Sequence, residues 1–407
     1  MIYYYLIYIK IFLYCVYFCI KKVYEIMTKL TELFKEFFKS EKTGGLLLIV
    51  CTVISLLLAN SSINESYLSF WQINLGGYTV LQWINDGLMT IFFLLIGLEL
   101  EREIYKGELS KIKDALFPIF GAIGGMLIPA MFYMFFNFGE ATQSGFGIPM
   151  ATDIAFAIGL LSLLGSRVPS SLKVFLTALA VIDDLGAIII IAIFYSKELI
   201  LSNLFISLGI FGVLLILNRL KVKNLIPYLL GGIAMWFFMH NSGVHATITG
   251  VLLAFAIPFG DGEKKSSSYT LQHILHTPVA FIILPLFALA NTAISLNSGI
   301  IEIFTQNYGL GIALGLILGK PLGIFLLSYF SVIIGLCKLP EELNWKAIIG
   351  VGFLAGIGFT MSIFITLLAF DSSTIIDNAK FVILLSSLVA GTIGLISLSL
   401  TLKREKV

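Results

Sequence analysis

The run LFPIFGAIGGMLIPAMFYMFF, residues 116–136, carries no charged side chain, and apolar stretches of this kind recur along the whole chain. A bilayer's hydrocarbon layer needs about 20 apolar residues per helical crossing, and nothing inside it satisfies a backbone that does not satisfy itself. Twelve stretches approach that length: roughly 44–60, 79–100, 115–136, 145–164, 172–195, 199–218, 225–240, 243–259, 276–295, 308–334, 347–369 and 380–402. The expected class is an all-α polytopic membrane protein. Composition agrees, since 58% of the 407 residues are hydrophobic and 12% charged, outside the range of soluble domains. A net charge of +2 argues against nucleic acid as a partner. The four cysteines, Cys15, Cys19, Cys51 and Cys337, show neither metal spacing nor a disulfide pattern.

Basic residues test the span count, because Lys and Arg accumulate in cytoplasmic loops. With these boundaries 23 of the 26 basic residues fall on one side, Lys197 and Lys380 on the other, and Lys320 inside a span. Both termini are therefore expected in the cytoplasm. Residues 1–26 are read as a dispensable or non-native N-terminal extension, interrupted by Lys10, with Met27 opening an amphipathic basic lead-in to a single transmembrane domain, 27–407. The longest polar connections are 61–78 and 260–275. Within the first, two β-prone runs flank Gly76-Gly77 and signal a hairpin with a two-residue turn.

Charge is expensive in such spans, about 2.5–3.5 kcal/mol per group at mid-bilayer. Asp153, Asp183, Asp184 and Lys320 all lie there, and one lysine cannot neutralise three aspartates. Neighbours on a helix point about 100° apart, so Asp183 and Asp184 cannot face one partner. One can meet the lysine while the other lines a cavity. Two carboxylates so close also resist ionising together. A proton or a hard cation such as Na⁺ or Li⁺ would relieve the same charge, which makes them competitors for one site. Asp153 follows Gly145, Gly147 and Pro149, and Thr360 follows Gly350, Gly352, Gly356 and Gly358. Interrupted spans of this kind in corresponding halves point to a midplane transport site. Half-helix ends carry partial charge that Asp153 and Lys320 would offset, and Thr152 adds a hydroxyl ligand.

The segments ATDIAFAIG, LAVIDDLGAIIIIAIFYS, SGVHATITGV, LILGKPLGI and GIGFTMSIFI resemble, in order, the signature segments of the NhaA-type sodium/proton antiporters. That family is itself an example of broken helices at a midplane site, so the interruptions and the resemblance are not independent pointers. The resemblance implies twelve helices with inverted repeats, spans 3–5 against 10–12, and two discontinuous crossing helices, 4 and 11. It implies Asp183 and Asp184 as the cation and proton site, Lys320 as the partner of Asp183, and Asp153 with Thr152 at the crossing. It further implies Na⁺ or Li⁺ export driven by the proton gradient, electrogenic and pH-regulated, in the inner membrane, without a cofactor. Dimers would form through the outer hairpin, 68–80.

Glu99 and Glu103 at the inner end of the second span belong, by the same resemblance, to a pH-responsive cluster; ordinary interfacial charges fixing a helix end explain them as well. Asp86 is open between function and helix packing. His245 is a pH-response candidate because imidazole is the side chain whose unperturbed titration falls near neutrality, although a hydrogen-bonded structural histidine fits equally. His240, His273 and His276 read as interfacial. Gln272 departs from the family, which carries an acid there, and that puts the pH profile in doubt. Two other classes fit less well. An intramembrane aspartyl protease needs facing acids from different helices, and a solute symporter needs aromatic and amide groups around its site.

Overall fold

Backbone groups that cannot reach water must bond to one another, and along this chain helices do so almost throughout. The computed structural model describes residues 41–402 apart from 197–198, 261, 263–265 and 295–299; the expected extension, 1–26, lies outside the described residues. In chain order come α1 (Glu41–Ala59), α2 (Asn64–Trp71), the strands β1 (Asn74–Leu75) and β2 (Tyr78–Thr79), α3 (Met89–Tyr105) and α4 (Ile112–Asn137). A 3₁₀ segment, Gln143–Met150, then precedes α5 (Ile154–Leu161), α6 (Ser170–Phe194), α7 (Leu201–Arg219), α8 (Ile226–His240) and α9 (Ile248–Ala256). The remainder comprises α10 (Ser267–Pro278), α11 (Leu284–Asn291), α12 (Ile300–Thr305), α13 (Asn307–Leu314), α14 (Lys320–Ile333), α15 (Trp345–Ala355), α16 (Phe359–Ala369) and α17 (Ser373–Thr401).

Among the described residues, eight helices are long and apolar enough to cross a membrane, or ten if each of two bent pairs is one span. The protein is thus a multi-pass, all-α membrane protein. The expected seventh and eighth spans correspond to α8, with 15 residues, and α9, with nine, both short for a crossing. The ninth and twelfth begin earlier than their apolar cores, at Ser267 and Ser373. Polar residues there continue the helix ahead of its apolar run. Ser266 starts α10 by accepting the Tyr269 N–H at 3.2 Å, which shortens the polar connection expected over 260–275.

The hairpin is also smaller than 68–80. Residues 68–71 belong to α2, and pairing is confined to Asn74↔Thr79 and Leu75↔Tyr78. Gly76 and Gly77 have φ of +64° and +95°, the left-handed pair a two-residue turn between twisted strands requires.

Two features position the centre of the molecule. One is close packing of α4 on α14: a Cβ on Gly124 or on Gly323 would run into the carbonyl oxygen of the other. Backbones can approach so closely in a membrane only where side chains are absent. The other is a wide π turn, Gly315–Gly319, immediately before Lys320. Such turns insert an extra residue into a helix and re-aim the side chains beyond it. Further π turns lie at Trp83–Leu88 and Val279–Ile283.

Candidate functional site

Both interrupted segments meet at the centre. Between the Gln143–Met150 segment and α5 the backbone is extended at Ala151 (ψ 150°) and Asp153 (ψ 97°). Between α15 and α16 the chain bends by 49° at Gly356–Gly358. The Asp153 N–H donates to the Ile357 carbonyl at 2.7 Å, stitching one interruption to the other. Asp153 also caps two helices with its side chain. Oδ1 accepts the Phe156 N–H of α5 at 3.0 Å, and Oδ2 accepts the Thr360 N–H at 3.1 Å and the Thr360 hydroxyl at 2.5 Å. Both caps sit at helix N-termini, where amide hydrogens are unpaired and the field favours a negative charge.

Asp183 and Asp184 lie on α6, each 1% exposed. Asp183 Oδ2 is 2.7 Å from Lys320 Nζ and 2.8 Å from Thr152 Oγ1. Lys320 is wholly buried and also donates to the carbonyl of Met150, the last residue of the 3₁₀ segment. Its ammonium therefore faces both a carboxylate and a helix C-terminus. Thr152 Oγ1 lies 3.0 Å from the Ala355 carbonyl as well, and its single proton serves one acceptor at a time. Among the described residues, Oδ1 of Asp183 and Oδ1 of Asp184 have no hydrogen-bond partner. Asp184 has Asp183, Asp153, Lys320 and Glu99 as charged neighbours. The structure thus links Thr152, Asp153, Asp183 and Lys320 directly, and leaves Asp184 beside them without a bonded cation.

A cavity of about 290 Å³ leads toward this centre. Glu99, Arg102, Glu103, Gln272 and His276 line it together with Phe92, Ile154, Val181 and Leu284. Val181 stands three residues before Asp184, one helical turn away. Arg102 donates to Gln272 Oε1 at 3.0 Å and lies 4.6 Å above the Tyr269 ring. Glu99 lines the same cavity, so the neutral amide of Gln272 on α10 bonds the guanidinium of α3 beside that helix's carboxyl groups.

The chain matches the profile of the Na⁺/H⁺ antiporter 1 family over residues 35–398. It belongs to that family. Among its relatives, the Na⁺/H⁺ antiporter NhaA of Flavobacterium psychrophilum is 71% identical over 92% of this chain and 98% of its own. The Na⁺/H⁺ antiporter NhaA 1 of Flavobacterium johnsoniae is 62% identical over 93% and 99% of the two chains, and the Na⁺/H⁺ antiporter NhaA of Cytophaga hutchinsonii 60% over 92% and 97%.

In this Na⁺/H⁺ antiporter 1 family member, the three expected pH-response candidates occupy two places. Glu99 and Glu103 line the cavity. His245 is elsewhere: its Nε2 is 3.5 Å from Asp86, its Nδ1 is 2.7 Å from Thr247 Oγ1, and its ring meets Phe364 edge-on. Of the histidines read as interfacial, His276 lines the cavity, while His240 stacks on Trp236 and His273 on Tyr269. Nothing in the sequence marks the Met150 and Ala355 carbonyls, which carry no residue-type signal. Nor does the sequence mark Thr360 as the donor to Asp153, although a hydroxyl residue just after a glycine-broken turn is the type that serves helix ends.

Proposed function

We propose that this protein is a secondary transporter that exports Na⁺ or Li⁺ in exchange for protons, electrogenically and under pH control, across the bacterial inner membrane. The coarse part of this reading, Na⁺/H⁺ antiport, is supported by family membership and by the activity named for its relatives. The observation that carries the site is Asp184: a buried carboxylate with an unpartnered oxygen, one turn beyond a residue lining the cavity. A carboxylate so placed takes its compensating charge from a bound proton or cation, and the two exclude each other. Asp183 is the second member of the site. It gives up Lys320 when it takes a proton or a share of the cation, and two titrating acids set a stoichiometry of two protons per Na⁺.

Exchange follows because only a neutralised or loaded site crosses between inward and outward access. In this reading the spans number twelve, counting α1 with α2, α8, α9 and the bent pair α15–α16 beside the eight long helices. Spans 3–5 and 10–12 form inverted repeats, both termini are cytoplasmic, and the hairpin joins two copies in a dimer. Glu99, Glu103 and His245 set the pH response.

The test is collapse of a respiration-generated pH gradient in everted vesicles on adding Na⁺, Li⁺ or K⁺, from neutral to alkaline pH, for the wild type and Asp184→Asn. The expected outcome is a Na⁺ and Li⁺ response that the variant loses. A variant that still responds removes Asp184 from the site, and a wild type that answers no cation removes antiport.

A further inference from the structure

The amide end of α16 is held from two sides. Asp153 takes the Thr360 N–H from the span containing α5, and Ser387 Oγ of α17 accepts the Phe359 N–H at 3.2 Å. Ser387 is 5% exposed and its neighbour Ser386 is 1% exposed, with no hydrogen-bond partner for the Ser386 hydroxyl among the described residues. Two adjacent polar residues in the middle of an apolar helix repeat the pattern of α6. Asp183 and Asp184 are the fourteenth and fifteenth residues of α6, and Ser386 and Ser387 the fourteenth and fifteenth of α17. Each pair reaches an interrupted segment: Asp183 through the Thr152 hydroxyl, Ser387 through the Phe359 amide. Under the proposed inverted repeats, the two pairs occupy equivalent places, one acidic and one neutral.

We infer that Ser387 is a positioning residue of the exchange, fixing the amide end of α16 so that Asp153 bears only part of its unpaired donors. Asp153 is adjacent to Thr152, which touches Asp183, so the set of the α16 end reaches the proposed ion site through one short run of backbone. The Ser387 hydroxyl is engaged with the Phe359 amide rather than with Asp183 or Asp184. Its loss therefore slows turnover and leaves the apparent KM for Na⁺ in place. The inference rests on the proposed exchange at the aspartate pair.

The experiment measures Na⁺-driven proton movement in everted vesicles at matched protein content for Ser387→Ala, Ser387→Thr, Asp153→Asn, Asp153→Asn/Ser387→Asp and, as the control on the site, Asp184→Asn. Ser387→Ala should lower the maximal rate about five- to ten-fold, the scale of one lost helix cap, with the KM for Na⁺ unchanged. Ser387→Thr, which keeps the hydroxyl, should recover most of that rate. A carboxylate returned from the α17 side should lift Asp153→Asn several-fold. Ser387→Ala at the wild-type rate, or Ala and Thr equally slow, would overturn the inference. So would a double variant present in the membrane and no faster than Asp153→Asn. If Asp184→Asn keeps its exchange, the proposed site fails instead, whatever Ser387 does.

Discussion

Asp153 and Asp184 are buried to nearly the same degree, 2% and 1% exposed, in opposite surroundings. The two breaks, before α5 and before α16, give Asp153 three side-chain hydrogen bonds from donors on both helices. The unbroken helix α6 gives Asp184 no such donors, because every backbone amide around it is committed within the helix. An unwound segment can solvate a charge with backbone; a continuous one cannot. Asp153 is thereby held by donors of the fold itself, whereas Asp184 has none, which is the difference the proposed exchange site relies on.

The largest effect expected from this contrast is functional. Asp184→Asn should reduce Na⁺-driven proton movement at least about 100-fold, while its thermal stability holds or rises, since an unpaired buried acid has been removed. Equal losses of rate and stability in Asp184→Asn and Asp153→Asn would erase the distinction. Next, Lys320→Gln should destabilise the purified protein by about 3–5 kcal/mol, because it leaves Asp183 buried without its cation. Lys320→Gln/Asp183→Asn should regain most of that in a thermal-melt double-mutant cycle. Asp153→Asn should cost about 1.5–3 kcal/mol, the worth of hydrogen bonds to a charged group. Thr152→Val should cost about 1 kcal/mol and Thr152→Ser little, read from the same melts. Smallest is Gln272→Glu at the cavity mouth: stability should move by under about 1 kcal/mol. The pH profile of exchange should steepen, since a titrating group replaces a fixed amide beside Glu99. An unchanged profile would show that residue 272 does not contribute to pH response.

Much of the architecture could be read from the sequence where physics is local. Uninterrupted apolar length placed the crossings to within a few residues for α4, α6 and α7, and Gly76-Gly77 located the hairpin turn. Helix ends are harder, because polar residues such as Ser267–Thr270 remain helical once the Ser266 cap starts them ahead of the apolar run. Charge counting shows that Lys320 can pair with one acid of three, and it is the family resemblance rather than the residues that names Asp183, the acid it meets. Which acid it meets depends on how α14 crosses α6, and the π turn before Lys320 has no one-residue signature. The partners of Thr152 and Lys320 that are backbone carbonyls were invisible for the same reason. The amide of Gln272 illustrates the converse: the missing acid is plain in the sequence, but the bond from Arg102 to that amide across α3 and α10 is a property of the assembled helices.

The Asp183–Lys320 ion pair joins residues 137 positions apart. At a synthesis rate of about 5–20 residues per second, Lys320 leaves the ribosome roughly 7–27 seconds after Asp183. Throughout that interval the aspartate belongs to a nascent chain whose amine does not yet exist. The centre of the protein is consequently a late product of biogenesis, and a chain that stops short of α14 contains the acids but never the lysine that one of them requires.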